Sequence, residues 1–235
     1  MAMAMAKSFA FVLMAVLLHE NWVIEAARLP AFDDLLQLFD SDTQLPSLDA
    51  PACGPQLSIE TPACEVVDKR DGYELRKYPA GQVNNPIWVE TLVANTSYLV
   101  ATSVGFYRCF FYISGQNSES EQIEMTAPVH IQPAPEADGY KIAFFAPSRF
   151  KSVHDLPRPL DPNVRFSVPE ASMYAVLGPF GGFPGESEYS KKWQKLKEAL
   201  EKDKVTFHES TVLYAGYSSP FEIINRKQEV HVQVV

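Results

Sequence analysis

A chain of 235 residues with a formal net charge of -9 has room for one domain of fair size, and its surface repels polyanions, which argues against a nucleic-acid partner. The apolar run at its start is too short to span a bilayer, and no later segment approaches the roughly 20 consecutive apolar residues that a membrane-spanning helix needs, so stable membrane insertion is not expected. The three cysteines leave one odd if two of them pair.

Lys7, the apolar run Phe9 to Leu18 and the small pair Ala26-Ala27 have the charge, core and cleavage layout of a signal peptide over residues 1–27. The mature chain is expected to begin near Arg28 and to enter the secretory pathway. Residues 28–62 are rich in Pro, Asp and Leu and read as an arm, with one short amphipathic helix from Phe32 to Phe39. Cys53 and Cys64 flank a Pro-rich stretch at its end, and in an oxidising compartment they are expected to form a disulfide. Cys109 is left over inside an apolar helix and reads as a small buried hydrophobe. Asn95-Thr96-Ser97 is a glycosylation sequon at the entrance to that helix, where Thr96 or Ser97 would also serve as a cap.

The folded domain is expected over residues 63–235. Glu65 to Arg70 and Tyr73 to Tyr78 are strand-like runs joined by the hairpin signal Asp71-Gly72. Ile87 to Val93 predicts a third strand, Ser97 to Ile113 a helix ended by Gly115-Gln116-Asn117, and Ala127 to Gln132 and Tyr140 to Ala146 two more strands. A Pro-rich link covers 147–162. The order then repeats: a strand at Ser172 to Leu177, a Gly/Pro loop at Gly178 to Gly185, a helix at Ser187 to Lys202, and strands at Thr211 to Tyr217 and Glu229 to Val235. Two strand-helix-strand-strand halves predict a pseudo-symmetric α+β domain, a curved antiparallel sheet with two helices. The Tyr73 to Gly81 and Met173 to Gly181 runs are expected to occupy equivalent places in the two halves.

The two helices differ. The second carries Tyr189, Trp193, Leu196 and Leu200 on one stripe and Lys191, Lys192, Lys195, Glu198 and Glu201 away from it, the ordinary half-buried pattern. The first is apolar nearly all round. Ala101, Gly105 and Cys109 form a small-residue stripe suited to close approach on a sheet, while Leu99, Phe106 and Phe110, with Val100, Tyr107 and Phe111, form a broad bulky surface. One apolar face docks a helix, so the other must meet the protein's own arm, a partner protein or a flat apolar ligand.

No catalytic constellation is present: the chain has no G-x-S-x-G, no P-loop, no H-E-x-x-H and no C-x-x-C. The prolines of Gly178 to Gly185 remove the N–H donors that a phosphate cradle needs, which leaves a turn. His130 and His231 fall on predicted strands and are candidates for iron ligation only through a neutral imidazole. Met125, entering a strand, reads as core packing.

Several ordered motifs carry a family resemblance. Tyr73 to Tyr78, Gly105-Phe106 through Asn117, Ile123 to Val129, Pro157 to Leu160, Phe180 to Phe183, and Ala215 to Pro220 with Asn225-Arg226 and Glu229-Val230 resemble the SOUL haem-binding family. The leader and Pro-rich arm are similar to those of plant members, which implies the apoplast or the vacuole as destination. The resemblance implies a distorted antiparallel barrel flanked by two helices. It also implies non-covalent binding of haem or another tetrapyrrole, carried or buffered without covalent chemistry. The implied site is a cleft between the first helix and the loop before the last strand, formed by Ser103, Phe106, Tyr107, Arg108, Phe110, Phe111, Phe221, Glu222, Arg226 and Lys227. Apolar groups would cover the macrocycle, and Arg108, Arg226 and Lys227 would meet its propionates. Ser103, Phe111 and Glu222 stand where some relatives are basic, and Lys77 stands where some have a histidine. Two other readings are open: a module that docks a partner through the first helix, and an enzyme acting on a tetrapyrrole or apolar metabolite with Glu222, Arg108 and His231 as candidate acid or base groups.

Overall fold

The structure, a computed structural model, describes residues 54, 55, 57–78, 86–218, 222 and 224–235. Glu65–Arg70 (β1) and Tyr73–Tyr78 (β2) form the expected hairpin, with Gly72 in its turn at φ 91°, a backbone state that favours glycine. Trp88–Val93 (β3), Tyr98–Ile113 (α1), Val129–Ala134 (β4) and Gly139–Phe145 (β5) follow. Next come Val164–Ser167 (β6), Ser172–Phe180 (β7), Glu186–Lys202 (α2), Leu213–Gly216 (β8) and Gln228–Val234 (β9).

All nine strands join one antiparallel sheet in the order β1-β2-β7-β9-β8-β4-β5-β3-β6. The architecture is α+β and barrel-like but not closed, since β1 and β6 end the order. The centre lies between β4 and β8, where Ile131 pairs with Tyr214. Reading outward gives β5 and β3 on one side and β9 and β7 on the other, so β3-α1-β4-β5 and β7-α2-β8-β9 are the two halves.

This corrects the expected equivalence. The β2 run is not the counterpart of β7 but its hydrogen-bonded neighbour, with Leu75 opposite Ala175. The counterpart of β7 is β3, the strand that feeds α1. The lead strands β2 and β6 each cross to the opposite half, β2 beside β7 and β6 beside β3. Strand β6 was hidden in the sequence because four residues after a Pro-rich link are too few to show a period. Likewise β7 runs through Gly178-Pro179, expected as loop, by means of a register shift between Leu177 and Phe180.

Both helices lie on one face of the sheet. On α1, Ala101 and Cys109 are fully buried, and a Cβ placed on Gly105 would stand 2.6 Å from Cδ1 of Ile142 on β5. The small stripe therefore sets the helix-to-sheet distance, as the sequence predicted. Burial raises the Cys109 thiol far above its ordinary range, in keeping with a packing role. Under α1, Ile142, Phe144, Val89 and Phe110 form one core cluster; under α2, Leu196, Leu200, Val230 and Val232 form the other. The starts of the helices meet near the centre of the sheet, where Tyr98 lies 6.4 Å from Tyr189 and Tyr189 stacks on Tyr214 at 4.4 Å.

Helix α1 ends in a Schellman arrangement: Gly115 N–H donates to Tyr112 O, Gln116 N–H donates to Phe111 O, and Gly115 sits at φ 103°. Asn117, the last residue of the expected helix stop, is not among the positive-φ residues and acts through its side chain. Its amide donates to Tyr112 O and Glu121 O and accepts from the N–H groups of Glu119 and Glu121, while only 2% exposed. At the other end Ser97 is the capping residue, yet its side chain makes no cap hydrogen bond.

The end of the arm runs along the domain. Glu60 O accepts from Ala127 N–H, its carboxylate accepts from Ser148 N–H, and Leu57 and Ile59 pack on Ala127, Ala215 and Tyr217. Cys64 is buried. Its expected partner Cys53, like the leader and the 32–39 helix, lies outside the described residues.

Candidate functional site

With its small stripe on the sheet, α1 leaves a second set of side chains partly open, although Phe106 and Phe111 of that set also pack on the core, Phe106 lying 5.2 Å from Phe144. Leu99 is 59% exposed, and Ser103, Phe106, Tyr107, Arg108 and Phe111 are half-buried. The aromatic rings form one run: Phe106 meets Tyr107 edge-on at 5.7 Å, and Tyr107 meets Phe111 at 5.8 Å. Phe110 does not belong to the outward surface. It is 2% exposed, stacks on Phe106 at 5.7 Å and is part of the core, because the helix turns it toward the sheet. Ser103 returns its hydroxyl to the carbonyl of Leu99 at 2.9 Å, the usual resting place of a helical serine.

Arg108 is the cation of this helix. Its guanidinium donates to Leu92 O at 3.5 Å, and its Nε stands 3.7 Å from Asp161 in the loop before β6. That separation is an ion pair without a hydrogen bond, and Nε is buried with no hydrogen-bond partner. Asp161 was not singled out in the sequence, since nothing local ties residue 161 to a helix 53 positions earlier.

The loop before β9 supplies the other expected group. Arg226 donates to Gly182 O at 3.2 Å and to Glu222 O at 2.8 Å, and its guanidinium lies 4.2 Å from the Phe183 ring centroid. These contacts tie the loop to the turn that opens α2. Glu222 is exposed, and Lys227 donates its backbone N–H to Ser218 Oγ. Phe221 lies outside the described residues. Lys77 is exposed on β2.

The histidines considered as iron ligands stand elsewhere. His130 and His231 alternate with Val129, Ile131, Val230 and Val232, which face the helices, so both imidazoles lie on the opposite face of the sheet. His231 shares a hydrogen bond with Glu229 at 2.9 Å, and Glu229 accepts two bonds from Arg76 and one from Tyr217. Met125 packs against the core under α1. The Glu229 network could be read in the sequence only as a period-two pair, Glu229 and His231, on one face of a strand.

A solved structure described as SAV2435 bound to tetraphenylphosphonium aligns at TM-score 0.42 and 13% identity, covering 69% of this chain and 93% of its own. Haem-binding protein 2 of Homo sapiens is 30% identical over 182 residues, which is 74% of this chain and 85% of that protein. Haem-binding protein 1 of Mus musculus is 29% identical over 125 residues, 51% of this chain and 64% of its own. The family model of the SOUL haem-binding protein matches residues 59–233, from the end of the arm to the last strand, and the chain belongs to that family.

Proposed function

We propose that the protein binds haem or a related tetrapyrrole non-covalently, as a carrier or buffer, in the cleft between α1 and the loop before β9. The observation that carries this reading is the exposed Leu99 beside the half-buried Phe106, Tyr107 and Phe111, with Phe106 and Phe111 backed by the core, on a helix already anchored through Ala101, Gly105 and Cys109. A flat apolar macrocycle is matched by such a surface, and relatives named for haem binding support the ligand class. Cations are present as well. The Nε of Arg108 makes no hydrogen bond and stands 3.7 Å from Asp161, so a propionate would have to compete with that carboxylate for the guanidinium, and Arg226 is held in position by Gly182 and Glu222.

When bound, the group supplies its own redox and ligand chemistry, while the residues named here cover one face of the ring and pair its carboxylates. Burying about 250 Å² of apolar surface at about 25 cal/mol per Å² yields about 6 kcal/mol before the cost of association, short of the roughly 8 kcal/mol that micromolar binding needs, so polar contacts to the propionates must add to it. A haem titration followed in the Soret region, beside metal-free protoporphyrin, tests the reading. Saturation that weakens on Tyr107→Ala and Phe111→Ala supports it, and no spectral change with either ligand at protein well above micromolar overturns it.

The same reading places the mature protein in the secretory pathway, delivered to the apoplast or vacuole, with a Cys53 to Cys64 disulfide and a glycan on Asn95. Asn95 is exposed. Mass spectrometry of the secreted chain, with and without glycosidase and reductant, checks all three features.

A further inference from the structure

The cation that α1 offers to a ligand stands beside a carboxylate that the fold holds in place. Arg108 puts its Nε 3.7 Å from Oδ2 of Asp161, and its Nη1 donates to Leu92 O at a long 3.5 Å. The two side chains are only 18% and 25% exposed, so water screens each charge from the other poorly. Asp161 is not free to swing away. Its Oδ1 accepts from the backbone N–H and from the side-chain amide of Asn163, each at 2.8 Å, and its carbonyl accepts from Val164 N–H at 3.1 Å. Val164 opens β6 and pairs with Thr91 of β3, next to the Leu92 whose carbonyl meets Arg108. Strand pairing thus fixes the carboxylate next to the guanidinium.

The contact between them is one of charge alone. At 3.7 Å no hydrogen bond joins Nε to Asp161, and Nε has no hydrogen-bond partner. A pair built to hold α1 on β6 would close that bond, since a closed charge-assisted bond is the strong form of the interaction. What Asp161 does instead is place a fixed negative charge where an anionic group on a ligand would have to approach Arg108.

We propose that Asp161 sets the ligand class of the α1 cleft: it offsets the charge of Arg108, so that the site takes a tetrapyrrole with one free carboxylate, the other esterified or absent, ahead of a dicarboxylate. This rests on the tetrapyrrole reading above. One carboxylate falls to the loop before β9, where Arg226 and Lys227 lie half-buried. A second carboxylate brought to Arg108 meets Asp161 as well, and repulsion removes most of what the guanidinium gives, whereas an uncharged ester arm is not repelled. Asp161 acts through Arg108 and need not touch the ligand.

The probes are protoporphyrin IX and its monomethyl and dimethyl esters, titrated into the full chain in the Soret region at constant detergent. The wild-type chain is expected to bind the monoester more tightly than the diester and at least as tightly as the diacid. Asp161→Asn removes the charge, keeps an oxygen for Asn163 and breaks no hydrogen bond of Arg108; it should tighten the diacid about fivefold relative to the monoester. Asp161→Ser, which also keeps a local acceptor, should behave alike. The gain should shrink as salt approaches about 1 M and vanish when Arg108→Met is combined with Asp161→Asn, neither of which a merely structural Asp161 would cause. A wild-type preference for the diacid as large as the variant's, equal gains for diacid and monoester, or a gain that survives the loss of Arg108 overturns the proposal and leaves the tetrapyrrole reading intact. No spectral response to any of the three probes in either chain overturns that reading, and this proposal with it.

Discussion

The guanidinium of Arg76 grips the carboxylate of Glu229 through two hydrogen bonds, of 2.8 and 3.0 Å, joining β2 to β9 across the strand between them. Arg76 is 2% exposed and Glu229 fully buried, so neither charge has water to fall back on. The grip holds a strand of the first half against the second half, and so contributes to the crossed arrangement of lead strands. Replacing Arg76 by Met leaves the carboxylate buried without its main cation. That variant is expected to lose about 3–5 kcal/mol in urea unfolding, and Arg76→Met with Glu229→Leu should recover much of the loss.

The same carboxylate gives an acid limb to stability. Burial alone would raise the pKa of Glu229, but the hydrogen bond and charge of His231, with those of Arg76, bring it down to about 2. A carboxyl depressed in the folded state contributes stability that is complete above its unfolded value near 4.5 and is lost as pH falls toward 2. Unfolding midpoints measured from pH 5 to pH 2 should fall steeply, and Glu229→Gln, less stable at pH 7, should show a shallower slope.

His130 acts in a higher window. Burial, aided by His231 and Lys141, holds its pKa well below the ordinary 6.5, so the unfolded chain takes up a proton that the folded chain refuses. Stability contributed by this group is therefore full above pH 6.5 and declines as pH drops below it. Thermal unfolding at pH 7.5 and pH 5 should show a loss on acidification that is smaller in His130→Phe. An equal loss in both chains would remove His130 as the cause.

Gly105→Ala pits helix propensity against packing. Alanine is worth about 1 kcal/mol over glycine within a helix, yet its Cβ would lie 2.6 to 2.8 Å from Cδ1, Cγ1 and Cβ of Ile142. The clash includes the stem of the isoleucine, which cannot swing aside. A net loss of about 1–2 kcal/mol is expected from denaturant unfolding, and Ile142→Val in the same chain should relieve part of it.

Asn117→Ala removes an amide that makes four hydrogen bonds to backbone groups and leaves several of them unpaired under the α1 terminus. A loss of about 3 kcal/mol is expected. Faster amide exchange at Glu119 and Glu121 is the local signature; unchanged exchange there would contradict the assigned role.

Much of the architecture could be read from residue order. The β1-β2 hairpin was legible because Asp71-Gly72 is a local signal, and the seat of α1 because Ala101, Gly105 and Cys109 recur at helical spacing. The family was legible because its motifs are contiguous runs of side chains. The site was only partly legible. Periodicity marked α1 as apolar all round, but a helix with two apolar sides does not state which one meets the sheet, and Phe110 went to the core while Phe106, Tyr107 and Phe111 kept a half-open edge.

The sequence by itself determined most of the elements, β6 and the far end of β7 excepted, their two-fold repetition and the small-residue stripe of α1, all of which rest on patterns among residues near one another in the chain. Only the tertiary structure decided which strands are neighbours and which charges meet. The crossing of β2 and β6, the Arg108–Asp161 pair, the hold of Gly182 and Phe183 on Arg226, and the Arg76–Glu229–His231 network all join residues far apart in sequence. Strand pairing depends on how the whole sheet buries its two faces, and no local pattern encodes that choice.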